Sequence, residues 1–184
     1  MIDLLDLHKH FILTHLKEGD IAVDFTMGNG HDTEFLSKTV GEFGHVYAFD
    51  IQEQALASTE EHLKASGCPD NYTLILDSHH NVKKYVDVPI KAGMFNLGYL
   101  PGSDKSITTM RSTTLPAIES AISLMGPDAI IIVAVYPGHP EGEAEGKEIC
   151  EYLSGLSRYK VCATQIRILN SKTSPFFILI ENKP

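Results

Sequence analysis

The order of strand-like and helix-like segments predicts an α/β fold. It is a mostly parallel seven-stranded sheet with helices on both faces and an antiparallel C-terminal hairpin strand. Three observations predict it. Short β-rich runs alternate with amphipathic runs from Ile21 onward. Gly28 and Gly30 follow the first strand-like run directly. The last two strand-like runs are joined only by Asn170-Ser171-Lys172-Thr173-Ser174-Pro175. That link is too short for a helical crossover, so one of the two strands runs antiparallel.

Each element has its own signal. In residues 1–18, Leu4, Leu5, Leu7, Phe11, Ile12 and Leu16 fall at helical spacing, and Gly19-Asp20 ends the helix. Residues 21–25 are a short strand, 26–30 a loop, and 31–38 open a helix. A turn at 41–44 leads to a second strand at 45–50, and a charged helix follows over 52–66. Gly67-Cys68-Pro69 stops that helix. Residues 72–76 are the third strand, ending at Asp77, and 91–95 the fourth. A helix over 113–125 closes at Gly126-Pro127. The unbroken apolar run 129–135 reads as a strand buried on both faces. A helix over 143–156 precedes strands at 159–169 and 176–181.

With 184 residues and no linker, repeat or low-complexity stretch, the chain is expected to form one domain over 1–184. No apolar run approaches the ~20 residues of a membrane span, and the N-terminus lacks a signal-peptide pattern. Cys68, Cys150 and Cys162 are too few and too scattered for a disulfide framework or a zinc site. His8, His10, His15, His45, His62 and His80 show no metal-ligand spacing. The expectation is a cytoplasmic protein with no metal and no membrane partner. The net charge of −9 argues against nucleic-acid binding unless a local basic patch survives it.

Two loops carry the candidate chemistry. Asp24-Phe25-Thr26-Met27-Gly28-Asn29-Gly30 is a strand–glycine loop–helix junction, where a ligand can approach the backbone closely. Asp50 ends the second strand 20 residues after Gly30, placed to accept hydrogen bonds from ribose hydroxyls. The pattern alone fits a nicotinamide or an S-adenosylmethionine (SAM) site. Thr33 stands where the dinucleotide fingerprint has its third glycine, and Asp32 at the helix start would repel a pyrophosphate but not the cationic end of SAM. The second loop, Asn96-Leu97-Gly98-Tyr99, joins an amide, backbone carbonyls and an aromatic face. It suits holding an amine-bearing planar group for transfer to nitrogen.

Asp24, Gly28, Gly30, Asp50, Asp77 and the Asn96 loop are spaced as in the class I SAM-dependent methyltransferases, whose Rossmann-like fold the chain resembles from Ile21 to its C-terminus. Three blocks resemble, more narrowly, a small bacterial family labelled rRNA methylases. They are residues 24–32, residues 95–105 and Tyr136-Pro137-Gly138-His139-Pro140-Glu141-Gly142. That family is understood to convert 5-aminomethyl-2-thiouridine of the tRNA wobble position into its methylaminomethyl form.

The resemblance implies a role for each matching residue. Gly28 and Gly30, with Thr26, Asn29, Asp32 and Gln52 beside them, admit SAM. Asp24 lies near its ammonium, Asp50 on the ribose, and Asp77, Ser78 and His79 around the adenine. Asn96 and Tyr99 match the ends of the Asn-Pro-Pro-Tyr loop of amino-group methyltransferases, while Leu97 and Gly98 replace its prolines. The looser loop counts against an adenine or cytosine substrate and suits a flexible aminomethyl group. Such an amine, with a pKa of about 10.4, must lose a proton before it attacks. The Asn96 side chain, the Leu97 carbonyl, Asp32 and His139 are the candidate acceptors. Gly98, Tyr136 and His139 line the substrate side, and Lys105, Arg111 and Lys172 meet phosphates of a tRNA anticodon stem-loop. A homodimer would supply extra surface for that stem-loop. The rival expectations are methylation of rRNA or of a small amine, and a module that binds SAM or RNA without turnover.

Overall fold

The computed structural model describes residues 4–100, 102, 107–138, 140–171 and 173–182. Its elements are α1 (Leu4–His15), β1 (Ile21–Asp24), α2 (His31–Val40), β2 (His45–Asp50), α3 (Glu53–Ala65) and β3 (Tyr72–Leu76). A 3-10 turn at His79–Lys84 comes next. Then follow β4 (Ile90–Leu97), α4 (Arg111–Leu124), β5 (Met125–Val135), α5 (Pro140–Ser154), β6 (Val161–Ile166) and β7 (Phe176–Asn182). The strand order is β3-β2-β1-β4-β5-β7-β6. β7 pairs antiparallel with both β5 and β6, and the remaining pairs are parallel. The expected sheet is thereby observed, with β7 as its reversed strand. Among the described residues, no helix is long and apolar enough to cross a membrane.

Side-chain alternation along the central strands builds a core on each face. Phe95 and Leu97 of β4, Ile131, Val133 and Val135 of β5, and Phe176, Ile178 and Ile180 of β7 face one core, which Ile118 of α4 and Ile149 of α5 complete. The intervening Ala92, Met94, Ile130, Ile132, Phe177 and Leu179 face the other, closed by Ile12 and Leu16 near α1 and Leu36 and Val40 of α2.

Several boundaries differ from the sequence expectation, those of β4, β5 and β6 among them. β4 runs on to Leu97, because Asn96 and Leu97 pair with Ala134 and Val135; Asn96 is therefore near the end of a strand, not a loop residue. β5 begins at Met125, so Gly126-Pro127 opens a strand as well as closing α4. There the register with β4 shifts between Ile90 and Ala92, and Asp128 sits at φ 53°. The Asn182 side chain bridges the irregularity, donating to the Gly126 carbonyl and accepting from Ala129 N–H. β6 is shorter than its sequence signal, a partly exposed edge strand.

The direction in which the chain steps across the sheet reverses at β1 and β4, neighbours at its centre. In open α/β sheets the crevice beyond the strand ends at such a point receives ligands.

Candidate active site

Two cavities open at that crevice, one of about 740 Å³ and one of about 330 Å³. They share Thr26, Gly28, Asn96, Gly98, Tyr99 and Thr108 as a common wall. The glycine loop after β1 and the end of β4 therefore stand between the two compartments.

The glycine loop is held from below. Asp24 is fully buried; its Oδ1 accepts from Thr26 N–H at 3.1 Å and its Oδ2 from the Thr33 hydroxyl at 2.7 Å. Burial, with Asp32 nearby, pushes its carboxyl up to about 7. Asp24 thus lines neither cavity and acts by tying the loop to α2. Gly30, at φ 86°, is the turn into α2, and a Cβ there would lie 3.1 Å from the Thr59 backbone. Thr59 in turn donates to the Gly28 carbonyl, and Ser58 to Asn29 Oδ1, so α3 braces the loop from the side. Thr33 is buried on α2 and bonded to Asp24, a role that a third glycine could not fill.

The smaller cavity is bordered by Phe25 and Phe49, and behind them the rings of Phe25 and Phe95 stack 4.0 Å apart. Asp50 lies on its rim, accepting from Gly28 N–H at 3.2 Å and Gln52 N–H at 3.0 Å. Burial raises its pKa while those backbone donors oppose the rise. Asp77 borders the same cavity, but its oxygens accept from Ser78 N–H, Asn81 Nδ2 and the Tyr85 hydroxyl. These bonds, that of Asn81 foremost, hold it below the usual carboxylate range and tie it to the start of the 3-10 turn. His79 is buried, with Nδ1 3.1 Å from the Phe25 carbonyl, and burial pushes it down to about 4. A neutral ring donating from Nδ1 leaves Nε2 as a buried acceptor beside the cavity, with no hydrogen-bond partner among the described residues.

The larger cavity is bordered by Asp32, His31, Tyr136, Gly138 and, from the β6–β7 turn, Thr173 and Pro175. Asn96 Nδ2 donates to Asp32 Oδ2 at 2.7 Å, while Asn96 N–H donates to the Thr26 hydroxyl at 2.7 Å. Helix α1 reaches the same carboxylate: His8 Nε2 and Lys9 Nζ each lie 3.7 Å from Asp32 Oδ1. Burial alone would raise Asp32; its contacts with His8, Asn96 and Lys9 outweigh that and hold it below its ordinary value. Of the two neighbouring acids, Asp32 keeps the charge and Asp24 is the more readily protonated. Burial, and then the Asp32 charge, raises the Tyr136 phenol.

The stretch from Asn96 to Tyr99 is latched from behind. Gly98, at φ 145°, donates its N–H to the Thr109 hydroxyl at 2.9 Å, and its carbonyl accepts from Thr109 N–H at 2.9 Å. The Thr109 hydroxyl donates in turn to buried Glu145 Oε2 at 2.9 Å, and Thr114 donates to Glu145 Oε1. Tyr99 pairs with Thr108 in an isolated bridge and stays 40% exposed, with surface open to a ligand. Leu97 packs its side chain into the core.

Most of the residues expected at the site thus meet around one crevice: Thr26, Gly28, Asn29, Asp32, Asp50, Gln52, Asp77, Ser78, His79, Asn96, Leu97, Gly98, Tyr99 and Tyr136. Arg111 begins α4, outside both cavity walls, with Nε 3.2 Å from Glu141 Oε1. Lys105, His139 and Lys172 lie outside the described residues. Sequence reasoning missed His8, Lys9, Thr109 and Glu145. Nothing local marks them, since each belongs to a helix or loop whose approach only the packing sets.

Comparisons with known proteins give the family. The family model described as "Putative rRNA methylase" matches residues 46–181. A chloroplastic tRNA (mnm(5)s(2)U34)-methyltransferase of Arabidopsis thaliana is 35% identical over 175 residues, 90% of this chain. This chain spans 64% of that relative's length. The crystal structure titled "putative rRNA-methylase from Clostridium thermocellum" is 40% identical, with a TM-score of 0.96 over 99% of this chain and 98% of that one. A Streptococcus mutans structure titled a "putative methyltransferase", in complex with SAH, is 36% identical, with a TM-score of 0.89 over 99% of both chains. The family match takes in β2 through β7 and with them the Asn96 wall of both cavities, so the chain belongs to the rRNA methylase family.

Proposed function

We propose that the protein is a SAM-dependent N-methyltransferase acting on the 5-aminomethyl group of a tRNA wobble uridine, 2-thiolated or not. The observation that carries the reading is Asn96 in the wall between two cavities, its amide N–H₂ engaged by ionised Asp32. With one amide N–H given to Asp32 and the plane of the group so fixed, the Asn96 carbonyl oxygen is the group that accepts a hydrogen bond from an amine.

The smaller cavity fits the adenosine part of SAM. Asp50 offers carboxylate oxygens for ribose hydroxyls, and the exposed side chains of Ile51, Ile107 and Met110 offer apolar surface for a base. Gly28, Asn29 and Thr26 border the route to the larger cavity, and Asp24 keeps that loop in place. Ser78 and Gln52 complete the rim, with Asp77 supporting it. When bound, SAM supplies an electrophilic methyl group on a sulfonium.

The chain's own residues position the nucleophile. Asn96 Oδ1 accepts an N–H of the substrate amine and aims its lone pair at the shared wall. Ionised Asp32 opposes loss of the amine proton but stabilises the positive charge that grows on nitrogen as its new bond forms. The released proton leaves through the open mouth of the larger cavity to water. Tyr99 stacks on the uracil ring, and Gly98 leaves room for it. Tyr136 and His139 flank the substrate; Lys105, Arg111 and Lys172 contribute cationic contacts to the anticodon stem-loop. The chloroplastic relative, named for a modification of the same wobble uridine, supports the choice of substrate. A homodimer would extend the RNA surface, and light scattering of the pure protein tests it.

The test is methyl transfer from SAM to tRNA bearing unmethylated aminomethyluridine, read by nucleoside mass spectrometry. Appearance of the methylaminomethyl nucleoside is the expected result. No conversion by protein that still binds SAM would overturn the substrate assignment.

A further inference from the structure

A second cluster of donor side chains lies behind the glycine loop. His31 and Glu34 stand three residues apart on α2, the spacing that puts two side chains on one helix face. His62 of α3 completes the group: its Nε2 lies 2.6 Å from Glu34 Oε2, and its ring meets His31 edge-on with centroids 4.6 Å apart. One ligand atom from each residue falls within 4.8 Å of the others. Along the chain, 28 residues separate Glu34 from His62, so no local spacing marks the group. The packing of α2 on α3 assembles it.

We propose that His31, Glu34 and His62 form a binding site for a borderline divalent transition ion of the zinc type, which staples α2 to α3 beside the larger cavity. Two imidazoles and one carboxylate suit such an ion, whereas magnesium and calcium prefer all-oxygen shells. Zinc sits about 2.0–2.2 Å from nitrogen and carboxylate ligands, so the three side chains need only close inward by rotamer-scale shifts. Lys38 Nζ holds the other Glu34 oxygen, Oε1, at 2.6 Å and so leaves Oε2 facing His62. Because three protein ligands leave a coordination position for water, the site is expected to be exchangeable rather than a closed structural one. His31 also borders the larger cavity, so an ion here would order one edge of it.

The experiment uses the full chain, untagged and stripped with a chelator, titrated with Zn²⁺ against a competing chromophoric chelator. The expected result is one ion per chain, with affinity weakened at least about tenfold in each of His31→Ala, His62→Ala and Glu34→Gln. The His45→Ala variant, altered at a half-buried histidine of β2 outside the trio, keeps the parent affinity. Circular dichroism melting of each variant without metal separates loss of the site from loss of the fold; where His62→Ala unfolds, Glu34→Gln decides. Absence of stoichiometric binding, or binding that all three variants retain, would overturn the proposal.

Discussion

At Asn96 a single amide is divided between two tasks. Its N–H₂ end is bound to Asp32, which fixes the plane of the group; its oxygen is the acceptor proposed for the substrate amine. Asn96→Ala removes both the acceptor and an anchor of Asp32. We expect kcat to fall by about 100-fold, the usual cost of a misplaced reacting group, while SAM affinity changes by less than about threefold. Single-turnover kinetics beside calorimetric SAM binding measures the split, and an equal loss of both would remove Asn96 from catalysis. Asp24, close by, makes a different prediction. Its carboxyl is raised by burial from 3.8 to about 7, so the folded state holds a proton that the unfolded chain releases. The stability it contributes is complete below pH 3.8 and is lost as pH rises through 7. His79 has the opposite sign: lowered by burial from 6.5 to about 4, it costs stability as pH falls between those values. Urea unfolding at about pH 5 and about pH 8 should therefore show a smaller decline for Asp24→Asn than for the parent.

Two connections between elements set the geometry of the crevice. The first is the junction of β1, α2 and α3, which closes only because Gly30 has no Cβ at φ 86° against Thr59. The second is the latch from β4 to the segment before α4 and on to α5, through Gly98, Thr109 and Glu145. Thr109→Val keeps the shape and removes the hydroxyl between a backbone N–H and a buried carboxylate, a loss of about 1–3 kcal/mol. If the latch positions Tyr99, kcat for tRNA drops more than SAM affinity does; unchanged turnover would make it purely structural.

For the whole molecule, charge and proton inventory decide how the reaction responds to its medium. The chain carries a net charge of −9, so the proposed anticodon stem-loop would meet a local basic surface against an unfavourable average field. Filter binding from low to moderate salt should give a shallow negative slope of log affinity against log salt, corresponding to a few phosphate contacts. A flat line would exclude the cationic contacts proposed for Arg111, Lys105 and Lys172. The rate with aminomethyluridine tRNA should rise with pH across the neutral range, because the amine reacts only after losing its proton. A rate that falls in that range would contradict a neutral-amine mechanism.

The alternation of strands and helices, the closing hairpin and the two stretches that line the crevice are all legible along the chain. They are local properties: period-two and period-3.6 burial, glycine at tight turns, an acid at the end of β2. The crevice residues are legible for a related reason, because the ends of parallel strands converge on one edge wherever such a sheet forms. Which of them act on a ligand, and which hold the others, is settled in three dimensions alone. Asp24 and Asp50 look alike in sequence, yet deep burial beside Asp32 carries one toward neutrality beneath the loop and leaves the other on a cavity rim. His8 and Lys9 reach Asp32, and Glu145 reaches Thr109, across separations that no spacing rule spans, since helix packing against the two sheet faces brings them there. The strength of an electrostatic contact depends on distance and burial in space, and the order of residues along the chain encodes neither directly.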